Sequence, residues 1–275
     1  MKLFTYLFFL TFFIVGCSQN VPTPQERKAT ALSLGNKYNL KEQIYNTKEF
    51  DIFSLQTNIK ECKNIKVYIE GDGLAWISRN RISKDPTPIN PLGLKLMNMD
   101  NSSCKIYLAR PCQYLSKKNC DNKYWTSHRF SNIVIQSYNE VLNNVKLKYD
   151  NTTFTLIGYS GGGAIVALIA AKRDDINKLI TIAGNLNPTK WVNIHNISPL
   201  RSSLNPINYS SKLENIQQYH LIGKDDTIVP KEIFFSYRDA FNKTNKIEYR
   251  LFDATHSKGW EKAYKEFLKD SILEK

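Results

Sequence analysis

Apolar residues in this chain fall into short runs that alternate with stretches of helical spacing. Phe154-Thr155-Leu156-Ile157 is one such run, and it ends at a glycine. Its length predicts a buried strand, and Ala164 to Lys172 then reads as a helix. The runs Ile65–Ile69, Lys105–Ala109, Lys178–Ala183, Ile216–Ile222 and Lys246–Leu251 predict further strands. Between them, Ser131 to Lys148 carries Ile133, Val134, Val141, Leu142 and Val145 on one helical face. A helix is expected near Lys231 to Phe241, and Trp260 opens a C-terminal one. Strands alternating with helices predict an α/β architecture, a mostly parallel sheet flanked by helices on both faces.

The flanking stretches are less regular. Residues 18 to about 47 are polar, with Pro22 and Pro24 at their start, and read as a tether followed by a helix over Ala29–Tyr38. Phe50 to Asn58 alternates imperfectly and predicts an early edge strand. Residues 77–101, with Pro86, Pro88 and Pro91, read as a connection that shapes a pocket mouth. Gly184 to Asn215 is rich in Asn, Ser and Pro and reads as a small cap insertion. No internal repeat is visible.

Composition narrows the class. The chain has 275 residues and 42% hydrophobic content, enough for one full α/β domain with a large core. The net charge is +13, spread over scattered lysines. That suits attraction to anionic lipid or polyanionic envelope material. No nucleic-acid-binding motif is present, so no nucleic-acid partner is expected.

Three local patterns carry chemistry. Gly158-Tyr159-Ser160-Gly161-Gly162 fits G-x-S-x-G between the predicted strand and helix. A serine at such a turn is strained, with an exposed hydroxyl, and the helix N-terminus behind it favours a developing oxyanion. Gly223-Lys224-Asp225-Asp226-Thr227-Ile228-Val229-Pro230 follows a later strand, and His256 lies in the loop after the last one. Together these resemble the α/β-hydrolase family, over roughly residues 62 to 272. The order Ser160, Asp226, His256 is that family's order. The resemblance implies an α/β-hydrolase fold, with Ser160 as nucleophile, His256 as base and Asp226 as the acid that orients it. Asp225 is then a neighbour that caps the following helix. It also implies an oxyanion hole made by Gly161 with Asp72 or Gly73, in the loop Glu70-Gly71-Asp72-Gly73. The family's His-Gly is Glu70-Gly71 here, which leaves backbone donors available in principle. Trp125, His128 and Arg129 are expected to line the active-site face, His128 as a residue at a helix N-terminus. His195 is a candidate substrate contact, and His220 reads as structural.

The first residues are of another kind. Lys2 precedes an apolar run from Leu3 to Val15 that is too short to span a bilayer. Ile14-Val15-Gly16-Cys17 resembles a bacterial lipobox, which implies cleavage before Cys17 and lipidation of its thiol. Several acyl chains would anchor the protein firmly, since each buried CH₂ contributes about 0.8 kcal/mol. Ser18 after the cysteine favours the outer membrane by the same resemblance. The remaining cysteines, Cys62, Cys104, Cys112 and Cys120, are even in number, as in an exported disulfide protein. Three connectivities are open. Cys112 with Cys120, in one loop, and Cys62 with Cys104, each preceding a strand at one sheet edge, are preferred. A zinc site is the rival, but no metal-ligand spacing supports it.

The expected organisation is a signal peptide over 1–16, lipidated Cys17 with tether and helix over 17–47, and a hydrolase domain over 48–275 with 184–215 as cap. The expected protein is a monomeric, membrane-anchored serine hydrolase of the bacterial cell envelope, facing the periplasm. It would cleave a small-molecule or lipid acyl ester without metal or organic cofactor. A peptidase or amidase, an acyltransferase or thioesterase, and a catalytically silent binding lipoprotein are the alternatives.

Overall fold

The computed structural model describes residues 21–115, 119–149 and 153–273. The signal segment and Cys17 lie outside them. The chain opens with helix α1 (Pro24–Lys37) and an antiparallel pair, β1 (Lys41–Asn46) and β2 (Asp51–Gln56). Strand β3 (Asn64–Ile69), a small hairpin of β4 (Trp76–Ser78) and β5 (Arg81–Ile82), and helix α2 (Leu92–Met99) follow. Then come β6 (Lys105–Leu108), α3 (Asn132–Tyr149), β7 (Thr153–Tyr159) and α4 (Gly161–Ala170). The C-terminal part runs β8 (Ile176–Ile182), α5 (Pro188–His195), α6 (Ser210–Leu213), β9 (Gln217–Gly223), α7 (Lys231–Arg238), β10 (Ile247–Phe252) and α8 (Trp260–Leu273).

The main sheet has eight strands in the order β1-β2-β6-β3-β7-β8-β9-β10. From β6 to β10 all neighbours are parallel, whereas β2 joins β6 antiparallel. The two-residue side-chain period sorts the core into two layers. Ile65, Val67, Phe154 and Leu156 meet α3 and α4 on one face, and Tyr68, Tyr107 and Ile157 meet Ala31, Leu92 and Trp260 on the other. Every residue of α4 is buried, which explains why its sequence is apolar all round.

Several expectations need correction. The edge strand is β1, which the sequence did not suggest, and β2 lies inside the sheet. The domain therefore begins before residue 48. Helix α1 starts at Pro24, not Ala29, because Thr23 and Glu26 form a capping box around it. It packs directly on the sheet: a Cβ on Gly35 would come 3.1 Å from Leu55. The connection 77–101 is not wholly irregular. It holds the β4–β5 hairpin and the buried helix α2.

Cys62 and Cys104 are paired, with Cα atoms 6.4 Å apart, as are Cys112 and Cys120 at 5.5 Å. The first pair joins the starts of β3 and β6, which are interior strands and not a sheet edge.

Candidate active site

The turn from β7 into α4 forces Ser160 into φ 53° and ψ −119°, a strained region for a residue with a Cβ. Backbone bonds on three sides hold it there. Its N–H donates to the carbonyl of Ile182 at 2.9 Å, and its own carbonyl accepts from Gly163 and Asn185 at 3.0 Å each. A side chain at Gly158 would overlap the carbonyl of Gly162, so the tight turn needs glycine there.

The Ser160 hydroxyl lies 2.9 Å from Nε2 of His256, and Nδ1 of His256 lies 2.9 Å from Oδ2 of Asp226. A carboxylate only accepts, so the ring presents Nδ1–H to Asp226 and leaves Nε2 free to accept from the serine. Asp226 is buried, and its other oxygen accepts the N–H groups of Ile228 and Val229 at 2.9 and 2.8 Å. The backbone of His256 is fixed as well. Its carbonyl accepts from the Tyr159 hydroxyl at 2.9 Å and the Trp260 indole at 3.0 Å. Burial pushes the Tyr159 hydroxyl far above its ordinary pKa, so it stays a donor. Asp225 does not cap α7: the N-cap is Pro230, with no side-chain bond.

The loop after β3 lies against this turn. A Cβ on Gly161 would overlap the carboxylate of Asp72, whereas one on Gly73 would overlap the carbonyl of Pro86. Of the two expected oxyanion residues, Asp72 is thus the one beside the serine turn. Among the described residues, the N–H groups of Asp72, Gly73 and Gly161 make no hydrogen bond. The Asp72 side chain sits between Arg110 (2.8 Å) and Arg129 (2.6 Å). Burial alone would raise its pKa, but the Arg129 and Arg110 guanidiniums outweigh that and hold the carboxyl below its usual range. Glu70 is buried, and burial raises its pKa. It accepts from the N–H of Gly71 (2.9 Å), the N–H of Gly93 (3.2 Å) and the Tyr107 hydroxyl (3.1 Å). Glu70 therefore ties the loop to α2.

A cavity of about 880 Å³ opens onto Ser160 and His256. Its walls include Trp76 from β4, Ile89 from the 77–101 connection, and Trp191, Ile197 and Leu200 from the 184–215 segment. Arg129 lines it. Trp125 and His128 do not: Trp125 is buried with its indole on the Ser83 carbonyl, and the His128 ring bonds Ser127. His195 is not a lining residue either. Its Nε2 lies 2.8 Å from the carbonyl of Ile228. Arg110, Tyr159 and Asn185 were not singled out from sequence. Arg110 and Asn185 sit in polar loop stretches that look like their surroundings, and Tyr159 is the variable position of the serine motif. Among the described residues, no three His, Cys, Asp or Glu side chains come together to hold a metal ion.

No family model matches the chain, and none of the curated proteins does. Solved structures do. The esterase Pf2001 from Pyrococcus furiosus is 13% identical, with 93% of this chain and 95% of that one covered and a TM-score of 0.62. Est1E from Butyrivibrio proteoclasticus, in its ferulic acid complex, is 14% identical, with 84% and 98% covered and a TM-score of 0.62. An alpha-beta serine hydrolase homologue from Coxiella burnetii is 13% identical, with 84% and 97% covered and a TM-score of 0.56. At such identities the likeness is one of fold: the chain has the α/β-hydrolase fold.

Proposed function

We propose that this chain is a serine hydrolase that cleaves an acyl ester through a covalent acyl-enzyme on Ser160. The observation that carries the reading is the line of Ser160 Oγ, His256 and Asp226, with 2.9 Å at each junction. As Oγ attacks the acyl carbon, its proton passes to Nε2 of His256. Asp226 holds the ring in the needed tautomer and stabilises the imidazolium. The carbonyl oxygen, now negative, takes the free N–H groups of Gly161 and Asp72. One such donor is worth about 10²–10³ in rate. Collapse breaks the bond to the alcohol oxygen, which leaves with the proton from Nε2. Water then attacks the acyl-enzyme with His256 again as base, releasing the acid and restoring Ser160.

A fluorophosphonate probe tests this directly. The protein should be labelled, and Ser160→Ala should abolish labelling and lower kcat by about 10⁴–10⁶. Absence of labelling in the unaltered protein rejects the reading. A panel of 4-nitrophenyl esters beside peptide amides separates ester from amide chemistry.

The protein works, in this proposal, at the bacterial cell envelope, tethered through lipidated Cys17. The lipobox-like Ile14-Val15-Gly16-Cys17 supports it, as do two cysteine pairs that suit an oxidising compartment. Metabolic labelling with palmitate should mark the protein and fail for Cys17→Ser.

A further inference from the structure

Two buried polar side chains line the cavity with hydrogen-bonding groups left unused. Asn185 follows β8, and its backbone N–H is bonded to the carbonyl of Ser160 at 3.0 Å. The residue is only 3% exposed, yet it lines the cavity. Its Oδ1 is buried and unpartnered. Its Nδ2 makes no hydrogen bond among the described residues. Of the two ends, Oδ1 is the one shut away unpaired, and Nδ2 is left accessible as an open donor. Buried polar groups are nearly always paired, so this one calls for a ligand.

Arg129 is the second group. It is 5% exposed and also lines the cavity. Its Nε donates to the carbonyl of Thr126 at 2.7 Å and its Nη1 to Asp72 at 2.6 Å. Its Nη2 makes no hydrogen bond among the described residues. The face of Trp191 covers the guanidinium, with the ring centre 5.6 Å from Cζ.

Arg129 has no carboxylate to itself. Arg110 and Arg129 share the single carboxylate of Asp72. Glu70 also lines the cavity, but its oxygens are taken by Gly71, Gly93 and Tyr107. Asp226 is engaged by His256. Arg79, at the cavity lining, adds a further cation. A guanidinium with an open N–H edge is suited to carboxylate and phosphate oxygens, and a carboxamide lining the same cavity adds a further donor.

We infer that Arg129 Nη2 and the Asn185 amide form a specificity grip for a substrate ester that carries an anionic oxygen group, a carboxylate or a phosphate, close to the bond being cut. The apolar walls then hold the rest of the molecule. The inference rests on the hydrolase reading above and names the substrate class for the same site.

Two matched pairs of esters test it. For a carboxylate on the acyl side, the 4-nitrophenyl monoester of glutaric acid is compared with 4-nitrophenyl pentanoate. For a phosphate on the alcohol side, 1-butyrylglycerol 3-phosphate is compared with 1-butyrylglycerol. The anionic member of at least one pair should have the higher kcat/KM, by about tenfold or more. The preference should persist in about 0.5 M salt, because a buried contact is screened far less than the field of surface charge. Asn185→Asp keeps the side-chain shape and should reverse the preference through repulsion. Arg129→Gln should erase it, and the Asn185 variant serves if that one does not fold.

Equal turnover within both pairs overturns the inference and leaves the hydrolase reading standing. So does a preference that vanishes in salt, or one unchanged by Asn185→Asp. Failure of both anionic esters while Ser160 is still labelled overturns it too. Absence of labelling together with no turnover of any ester overturns both.

Discussion

The indole N–H of Trp191 donates to the carbonyl of Ile228 at 2.6 Å. That bond closes a continuous path around the site. The N–H of Ile228 donates to Asp226, Trp191 covers Arg129, and Arg129 grips Asp72 beside Gly161. Helix α5 is thereby fastened to the Asp226 loop on one side and to the Asp72 loop on the other. Trp191→Phe keeps the ring over Arg129 but loses the bond. At about 1 kcal/mol, kcat/KM on a 4-nitrophenyl ester should fall about fivefold. Trp191→Ala, losing the ring as well, should fall further.

The two adjacent aspartates should behave differently. Asp226 is buried with both oxygens engaged, whereas Asp225 is exposed. Asp226→Asn should lower kcat by about 10⁴, because an amide can present the wrong group to Nδ1. Asp225→Asn should change it less than twofold, as expected of a surface position. Equal effects in steady-state kinetics would identify the wrong carboxylate.

Gly158→Ala should destabilise the fold at the serine turn. The new methyl meets backbone at Gly162, which cannot rotate aside as a side chain would. Overpacking of this kind costs about 1–3 kcal/mol. The melting temperature should fall by several degrees, and probe labelling should weaken with it.

His220 sets an acid sensitivity. It is buried between Thr181, 2.7 Å from Nδ1, and Gln218, 3.2 Å from Nε2. Burial pushes its imidazole from 6.5 down to about 3. As pH falls below about 6.5, the unfolded chain takes a proton that the folded one refuses. Stability is complete above that pH and declines below it, by about 1.4 kcal/mol per unit until about pH 3. Urea unfolding at pH 7, 6 and 5 should show this slope. His220→Gln should flatten it, and an unchanged slope would assign the sensitivity to other groups.

The two cysteine pairs should contribute unequally. They span sequence separations of 42 and 8 residues. Chain entropy alone gives about 4 kcal/mol for the first and about 2.5 for the second. The double variant Cys62→Ser with Cys104→Ser should therefore lose more stability than Cys112→Ser with Cys120→Ser. Denaturant unfolding of the two, beside the oxidised protein, checks the order.

Much of the layer structure was legible in the sequence, because each element there is set by near neighbours. The strand β7 is a short apolar run, the following turn needs small residues, and α4 is apolar because both sheet and helices cover it. The Asp226 and His256 loops were legible through their resemblance to the α/β-hydrolase pattern at strand ends. Strand β1 was not. Lys41-Glu42-Gln43-Ile44-Tyr45-Asn46 lies at an edge, exposed over most of its length, and carries no apolar period. Helix α2 was hidden by the prolines before it and by being apolar on nearly every side.

By itself, then, the sequence determined the alternation of strands and helices and the loops that carry Ser160, Asp226 and His256. Only the tertiary structure decided that these three stand in line, that Asp72 is held between Arg110 and Arg129, and that the side chain of Asn185 lines the cavity without a hydrogen-bond partner. The physical reason is range. Backbone preference and side-chain period act over a few residues and leave a mark in the local pattern. Contacts among positions 72, 110, 129, 185 and 191 arise when distant loops pack at the same end of the sheet, and no spacing along the chain encodes that distance.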